Sequence, residues 1–184
     1  MQNSEESLVR QAKTGNKQAF AQLYEAHFER VYRYVAFKIG DRTEAEDMTQ
    51  QVFLNAYQSL STFNWKGTPV SAWFFRIAHN QIVDHLRRKD KQTKRQTALY
   101  LNESLTSGDD NPVAATELSM DMEKLSAATK QLTEAQREVI SLRFAGDLPI
   151  AEVARIMGKN PGAIKALQHS AVIALRKAFS GREL

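Results

Sequence analysis

The sequence predicts an all-α protein built as two small helical domains, and three observations predict it. Apolar residues recur at spacings of three and four along both halves, the mark of helices with one buried face. The 184 residues contain only 8 glycines and 4 prolines, too few for an all-β chain or a glycine-loop α/β architecture. Between the two helical stretches, Ser104 to Pro112 (SLTSGDDNP) has the composition of a loop or linker. With 42% hydrophobic and 25% charged residues, the balance is that of a globular chain, and each half can bury a modest core.

The elements follow in order. Ser4 to Thr14 reads as a short helix stopped by Gly15. Asn16 can cap a long second helix, whose apolar face is Phe20, Leu23, Tyr24, Phe28, Val31, Val35 and Ile39, with Gly40 ending it. Thr43 and Glu46 have the spacing of a capping box and would open a third helix running to about Leu60. Ser61 to Gly67 reads as a loop. Thr68-Pro69 is a cap followed by proline, and it opens a fourth helix with Trp73, Ile77, Ile82 and Leu86 as core. Trp73, Phe74 and Phe75 read as core more readily than as a binding face. The stretch Arg87 to Arg95 then holds six basic residues and one acid. Helical pattern resumes near Thr116, with Leu118, Met122, Leu125 and Leu132 on one side. Thr133 and Gln136 form a second capping box. Helices follow at about 134–145, 149–157 and 161–179. The expected division is 1–92, a flexible linker 93–127, and 128–184.

Composition excludes several functions. The absence of cysteine rules out disulfides, thiolate zinc sites and a cysteine nucleophile. No run approaches the roughly 18 apolar residues of a membrane span, and the start MQNSEE is polar and acidic, unlike a signal peptide. A cytoplasmic location is expected. His79, Asp84 and His85 are close in sequence, but the two histidines do not share a helix face cleanly. There is no HExxH, phosphate-cradling glycine loop or triad pattern. No catalytic residue, metal, cofactor or small-molecule substrate is therefore expected. The net charge of +4 and pI near 9.3 favour a polyanionic partner.

Ile150 to His169 has helix-turn-helix spacing. Ala154 is small where two backbones would cross, and Gly158 suits a turn with positive φ. Asn160 can cap the second helix, with Pro161 at its first position. Val153, Met157, Ile164 and Leu167 supply contacts between the helices. An ordinary αα-hairpin is the competing reading. As a DNA reader, the second helix would lie in the major groove and present Lys165, Ala166, Gln168 and His169. From Asn160 to Arg182 there are basic residues and no acid, which suits phosphate contact. Arg176 and Lys177 fit that role and fit equally a last turn favoured by the helix dipole.

In the first half, Asp47, Gln50 and Gln51 lie beside Val52, Phe53 and Tyr57. They read either as a protein-docking face or as a solvated one. Asn64, Trp65 and Lys66 place an amide, an aromatic and a base in one loop. Trp65 can stack on an unpaired base or tuck onto the core. Arg76, Asn80, Asp84, Arg87 and Arg88, at spacings of three and four, form one polar stripe on the fourth helix, and aromatics beside a basic stripe suit opened DNA.

Four stretches together resemble a bacterial sigma factor of the extracytoplasmic-function (ECF) group: AFAQLYEAHFERVYRYV (19–35), RTEAEDMTQQVFLNAY (42–57), TPVSAWFFRIAHNQIVDHLRRK (68–89) and LTEAQREVISLRFAGDLPIAEVARIMGKNPGAIKALQHSA (132–171). Their order matches sigma domain 2 followed by sigma domain 4. The resemblance implies core RNA polymerase, promoter DNA and an anti-sigma factor as partners. It implies that Asp47, Gln50 and Gln51 grip the polymerase clamp, and that the loop Phe63 to Gly67 captures a flipped base of the −10 element. By the same resemblance the Arg76–Arg88 stripe reads and melts that element, the helix-turn-helix reads the −35 element, and the linker threads near the RNA exit path. Two departures stand out: Gln51 where such sigmas often carry Glu, and Leu167, Ser170 and Val172 at positions often basic. The alternative from a different class is a helix-turn-helix regulator that binds duplex operators without polymerase. A helical protein-interaction module is a third reading, and it leaves the basic asymmetry after Asn160 unexplained.

Overall fold

The computed structural model describes residues 2–63, 69–100, 129 and 131–180, and among these the only regular elements are helices. Helix α1 is Gln2–Lys13, α2 Lys17–Ile39 and α3 Arg42–Ser59; a 3-10 turn follows at Leu60–Thr62, and α4 is Val70–Tyr100. The second half holds α5 at Glu134–Ile140, α6 at Ile150–Met157 and α7 at Pro161–Ser180.

Local chemistry sets most boundaries. The Asn16 side chain accepts hydrogen bonds from the backbone N–H groups of Gln18 and Ala19, and Gly40 ends α2 at φ 82. The Thr133–Gln136 capping box is formed on both sides. At the start of α3 the expected cap moves. Asp41, not Thr43, accepts from the N–H of Glu44 at 2.8 Å, and Glu46 pairs with Arg42 at 3.0 Å instead of folding back. The reach of the two residues differs by two positions, and the carboxylate upstream takes the orphan donors. The helix expected over 134–145 is α-helical only to Ile140; Ser141–Ala145 widens into a π turn. Thr68 and the helix expected near Thr116, with Leu118, Met122 and Leu125, lie outside the described residues.

The N-terminal half packs α1, α2, α3 and α4 around Leu23, Val31, Val35, Val52, Phe74 and Ile82, all fully buried. Rings of Tyr24, Phe28, Phe53 and Phe74 contact one another in sequence. Trp73 is half-buried and stacked on Phe63 at 4.4 Å. Leu86 is a correction: expected in the core, it is 41% exposed, since an apolar period does not by itself supply an element to cover it.

The two halves do not stand apart as separate bodies. Val139, Leu142, Leu148, Val153 and Ile164 join the same buried cluster as the N-terminal core. Gly146 sits so close to Phe75 that a Cβ there would lie 2.6 Å from the ring.

Candidate nucleic-acid and polymerase interfaces

The helix-turn-helix is assembled as its spacing requires. Ala154 is buried between α6 and α7. Gly158 takes φ 63, and its N–H closes on the Ala154 carbonyl. Asn160 Oδ1 accepts from the Ala163 N–H at 2.8 Å, which opens α7 at Pro161. Val153 and Ile164 are fully buried across the crossing, with Met157 and Leu167 packed on them. Lys165, Ala166 and His169 are exposed on the first turns of α7, and Arg176 and Lys177 on its last. Gln168 is half-buried, and its side-chain oxygen accepts from Arg143 Nε at 3.1 Å. Arg143 also donates to the Leu148 carbonyl, so it ties α7 to the loop before α6 and fixes the Gln168 amide. Ser170 accepts from Gln136 at 3.0 Å within this half, and Val172 packs in a second apolar cluster that also takes in Phe37 of α2.

In the N-terminal half, Arg76, Asn80, Asp84, Arg87 and Arg88 are all exposed along one side of α4. The opposite side carries Phe74, Phe75, Ala78 and Ile82, all fully buried. As far as Asp84 the stripe is therefore held by a rigid apolar face beneath it. Asp47, Gln50 and Gln51 are exposed on α3. Asp47 and Gln51 share a groove with Arg88, Gln81 and His85 of α4. Glu44 spans that groove, within 3.6 Å of His85 and 3.5 Å of Lys89. Asp47 and Gln51 of α3 thus meet Arg88, one residue of the stripe, along one groove. Asn64, Trp65 and Lys66 lie outside the described residues, directly after Phe63, whose carbonyl accepts from Lys13 Nζ at 2.7 Å.

Several functional candidates escape sequence reasoning. Glu138, 5% exposed, accepts from Tyr34 Oη and from Lys38 Nζ, each at 2.6 Å. His79 Nδ1 lies 2.9 Å from the same carboxylate; an ionised carboxylate only accepts, so His79 carries a proton there. Burial disfavours the Glu138 charge, yet the hydrogen bonds from His79, Lys38 and Tyr34 prevail and hold its carboxyl down at about 2. Arg30 donates to the carbonyls of Gly146 (3.1 Å) and Asp147 (2.8 Å), and Ser71 to Glu152 at 2.6 Å. Around the seam, Phe144 and Phe179 stay exposed and line an apolar groove with Phe37, Ile140 and Leu175. No group of residues fit to hold a metal occurs among the described residues. No helix among them is long and apolar enough to cross a membrane.

A capped helix-turn-helix is thus joined to a helical half that carries an exposed polar stripe. Residues 23–92 match the family "Sigma-70 region 2" and residues 128–177 match "Sigma-70, region 4". The chain is 37% identical over 172 residues to the ECF RNA polymerase sigma factor BldN of Streptomyces coelicolor, covering 92% of this chain and 64% of BldN. It thus spans about two-thirds of that relative's length. It is 32% identical over 177 residues to the ECF RNA polymerase sigma factor SigK of Mycobacterium ulcerans, covering 94% of this chain and 92% of SigK. Among solved structures, the sigma factor RpoE of Bartonella quintana, in complex with the anti-sigma factor NepR, shares the fold with a TM-score of 0.68. Its identity is 21%, covering 89% of this chain and 98% of that one. The chain belongs to the ECF group of RNA polymerase sigma factors. Sigma factors are transcription initiation factors rather than catalysts, and the reading as a polymerase-independent operator binder is not favoured.

Proposed function

We propose that this chain directs core RNA polymerase to promoters through three surfaces. Asp47, Gln50 and Gln51 on α3 dock core polymerase. The loop Asn64-Trp65-Lys66 and the stripe Arg76, Asn80, Asp84, Arg87 and Arg88 on α4 hold and open the −10 element. Lys165, Gln168 and His169, supported on phosphate by Arg176 and Lys177, engage the −35 element. Residues 1–92 act as sigma domain 2 and residues 128–184 as sigma domain 4, with 93–127 between them. The chain works in the bacterial cytoplasm without cofactor, metal or chemistry of its own, under restraint by an anti-sigma factor like that found with RpoE.

The observation that carries this reading is the polar stripe of α4, exposed along its length and backed by the buried Phe74, Phe75, Ala78 and Ile82, in the same chain as a capped helix-turn-helix. A duplex operator binder needs the second and has no use for the first. The modest net charge of +4 limits phosphate attraction by the free chain, so stable promoter binding requires core polymerase. Adding the chain to core polymerase and mapping transcription starts on a genomic library tests this. Starts that share two upstream elements are the expected result. Tight sequence-specific gel shifts by the free chain, with no new starts, would instead support the operator binder.

A further inference from the structure

Helix α1 precedes the residues that match Sigma-70 region 2, and none of the three proposed surfaces includes it. It buries Val9 and Ala12 and packs on α2, on α4 and on the 3-10 turn Leu60–Thr62. Its last residue, Lys13, is exposed, and a cation there is already favoured by the helix dipole. The Lys13 side chain nevertheless reaches the end of the 3-10 turn. Its Nζ donates to the Phe63 carbonyl at 2.7 Å, across 50 residues of sequence.

Phe63 leads directly into Asn64. Its N–H donates to the Leu60 carbonyl at 3.1 Å, and its buried ring stacks on Trp73 at 4.4 Å. With the N–H and the ring both held, one backbone torsion of Phe63 stays open. That torsion is ψ, about which the carbonyl and all that follows it turn together. The bond from Lys13 closes it, in an extended conformation at ψ 124. Because the peptide unit is planar, a fixed Phe63 carbonyl also fixes the direction of the bond into Asn64. On the other side of the stack, Trp73 stands three residues before Arg76, where the stripe begins.

From this we propose that Lys13 is a positioning residue for opening the −10 element. It sets ψ of Phe63, and so the direction in which the chain enters Asn64 from the aromatic pair at the head of the stripe. The proposal rests on the promoter-directing reading above, in which Asn64, Trp65 and Lys66 hold the opened strand. Lys13 acts through Phe63 and touches no base. The Lys13 bond is only part-buried, so its loss costs the fold little, and its effect falls on promoter opening.

Lys13→Met keeps the apolar stem and removes the donor, while Lys13→Arg keeps a cationic donor. With core polymerase and a promoter mapped for this chain, Lys13→Met should lower permanganate reactivity of the −10 region about three- to tenfold. Lys13→Arg should stay within about twofold of the parent. Core polymerase pull-down and far-UV circular dichroism should match the parent for both. The NMR resonance of the Phe63 carbonyl carbon should move in Lys13→Met and hold in Lys13→Arg. Added to Trp65→Ala, Lys13→Met should lower reactivity by less than it does alone, because both changes act on one step. Normal opening by Lys13→Met where Trp65→Ala falls overturns the role of Lys13 and leaves the loop standing. An equal Lys13→Met loss with and without Trp65 overturns it too, since the lysine then acts elsewhere. So does loss of opening by Lys13→Arg with the Phe63 resonance unmoved, or a parallel fall in core binding by Lys13→Met. Normal opening by both Asn64→Ala and Trp65→Ala removes the loop reading, and the role of Lys13 with it.

Discussion

His27 makes the stability of the N-terminal half depend on pH. Its ring lies in the core, 2% exposed, 5.3 Å from the Phe74 ring. Neither ring nitrogen has a hydrogen-bond partner. Glu5 stands 3.2 Å from Nε2 but out of line for a hydrogen bond, and it does not offset the burial. Burial first, and the Arg30 charge second, lower its pKa from 6.5 to about 4. The neutral ring is therefore favoured in the folded chain, while the unfolded chain takes up a proton near 6.5. Stability from this group is complete above about 6.5 and is lost as pH falls towards 4. Between pH 7.5 and 5.0 the loss is about 2 kcal/mol. His27→Leu keeps an apolar group of similar size and removes the titration. Both tryptophans, Trp65 and Trp73, lie in this half, so urea unfolding followed by their fluorescence reports on it directly. The variant should match or exceed the parent at pH 7.5 and exceed it by about 2 kcal/mol more at pH 5.0. Parallel losses in parent and variant between the two pH values would refute the reasoning, since every other titrating group is common to both.

Three further predictions concern the DNA-facing elements. Gly158→Ala should destabilise the second half by about 1–2 kcal/mol in thermal melts, because φ 63 disfavours a side chain even though nothing lies within 4 Å of the new Cβ. Lys165→Ala and His169→Ala should each cost about 1–3 kcal/mol at a base edge, seen as reduced transcription from promoters with a −35 match. Unchanged transcription by the double variant, with and without that match, removes the assignment. Asn64→Ala and Trp65→Ala should weaken permanganate reactivity of the −10 region while core polymerase pull-down holds, since stacking on an aromatic contributes about 1–3 kcal/mol per base. A parallel fall in core binding would mark Trp65 as a packing residue.

What the sequence by itself determined about this protein is what depends on neighbours within one helical turn. The buried faces of α2 and α7 follow from a period of three to four, and Leu23, Val31, Val35 and Ile164 are buried as that period requires. Asn16, Thr133 and Asn160 cap helices because a short polar side chain needs only reach two or three residues ahead. Gly158 sits where the turn needs positive φ. The same locality explains the misplacement at α3: Asp41 and Thr43 stand within one turn of each other, and pattern alone does not say which of them caps the helix.

Only the tertiary structure decided how distant residues meet. Glu138 lies in a stretch, TEAQREVI, that reads as a helix with a wet face, yet it is buried by Tyr34 and Lys38, 104 and 100 residues away, and by His79 at a separation of 59. Leu86 continues an apolar period and stays exposed all the same. His27 is one face-position among polar and apolar alternatives until Phe74 closes over it. A helix period states which side of each element avoids water and is silent on which element covers it. The joining of the two halves depends on that covering, through Arg30 on the Gly146 and Asp147 carbonyls and Phe75 under Gly146.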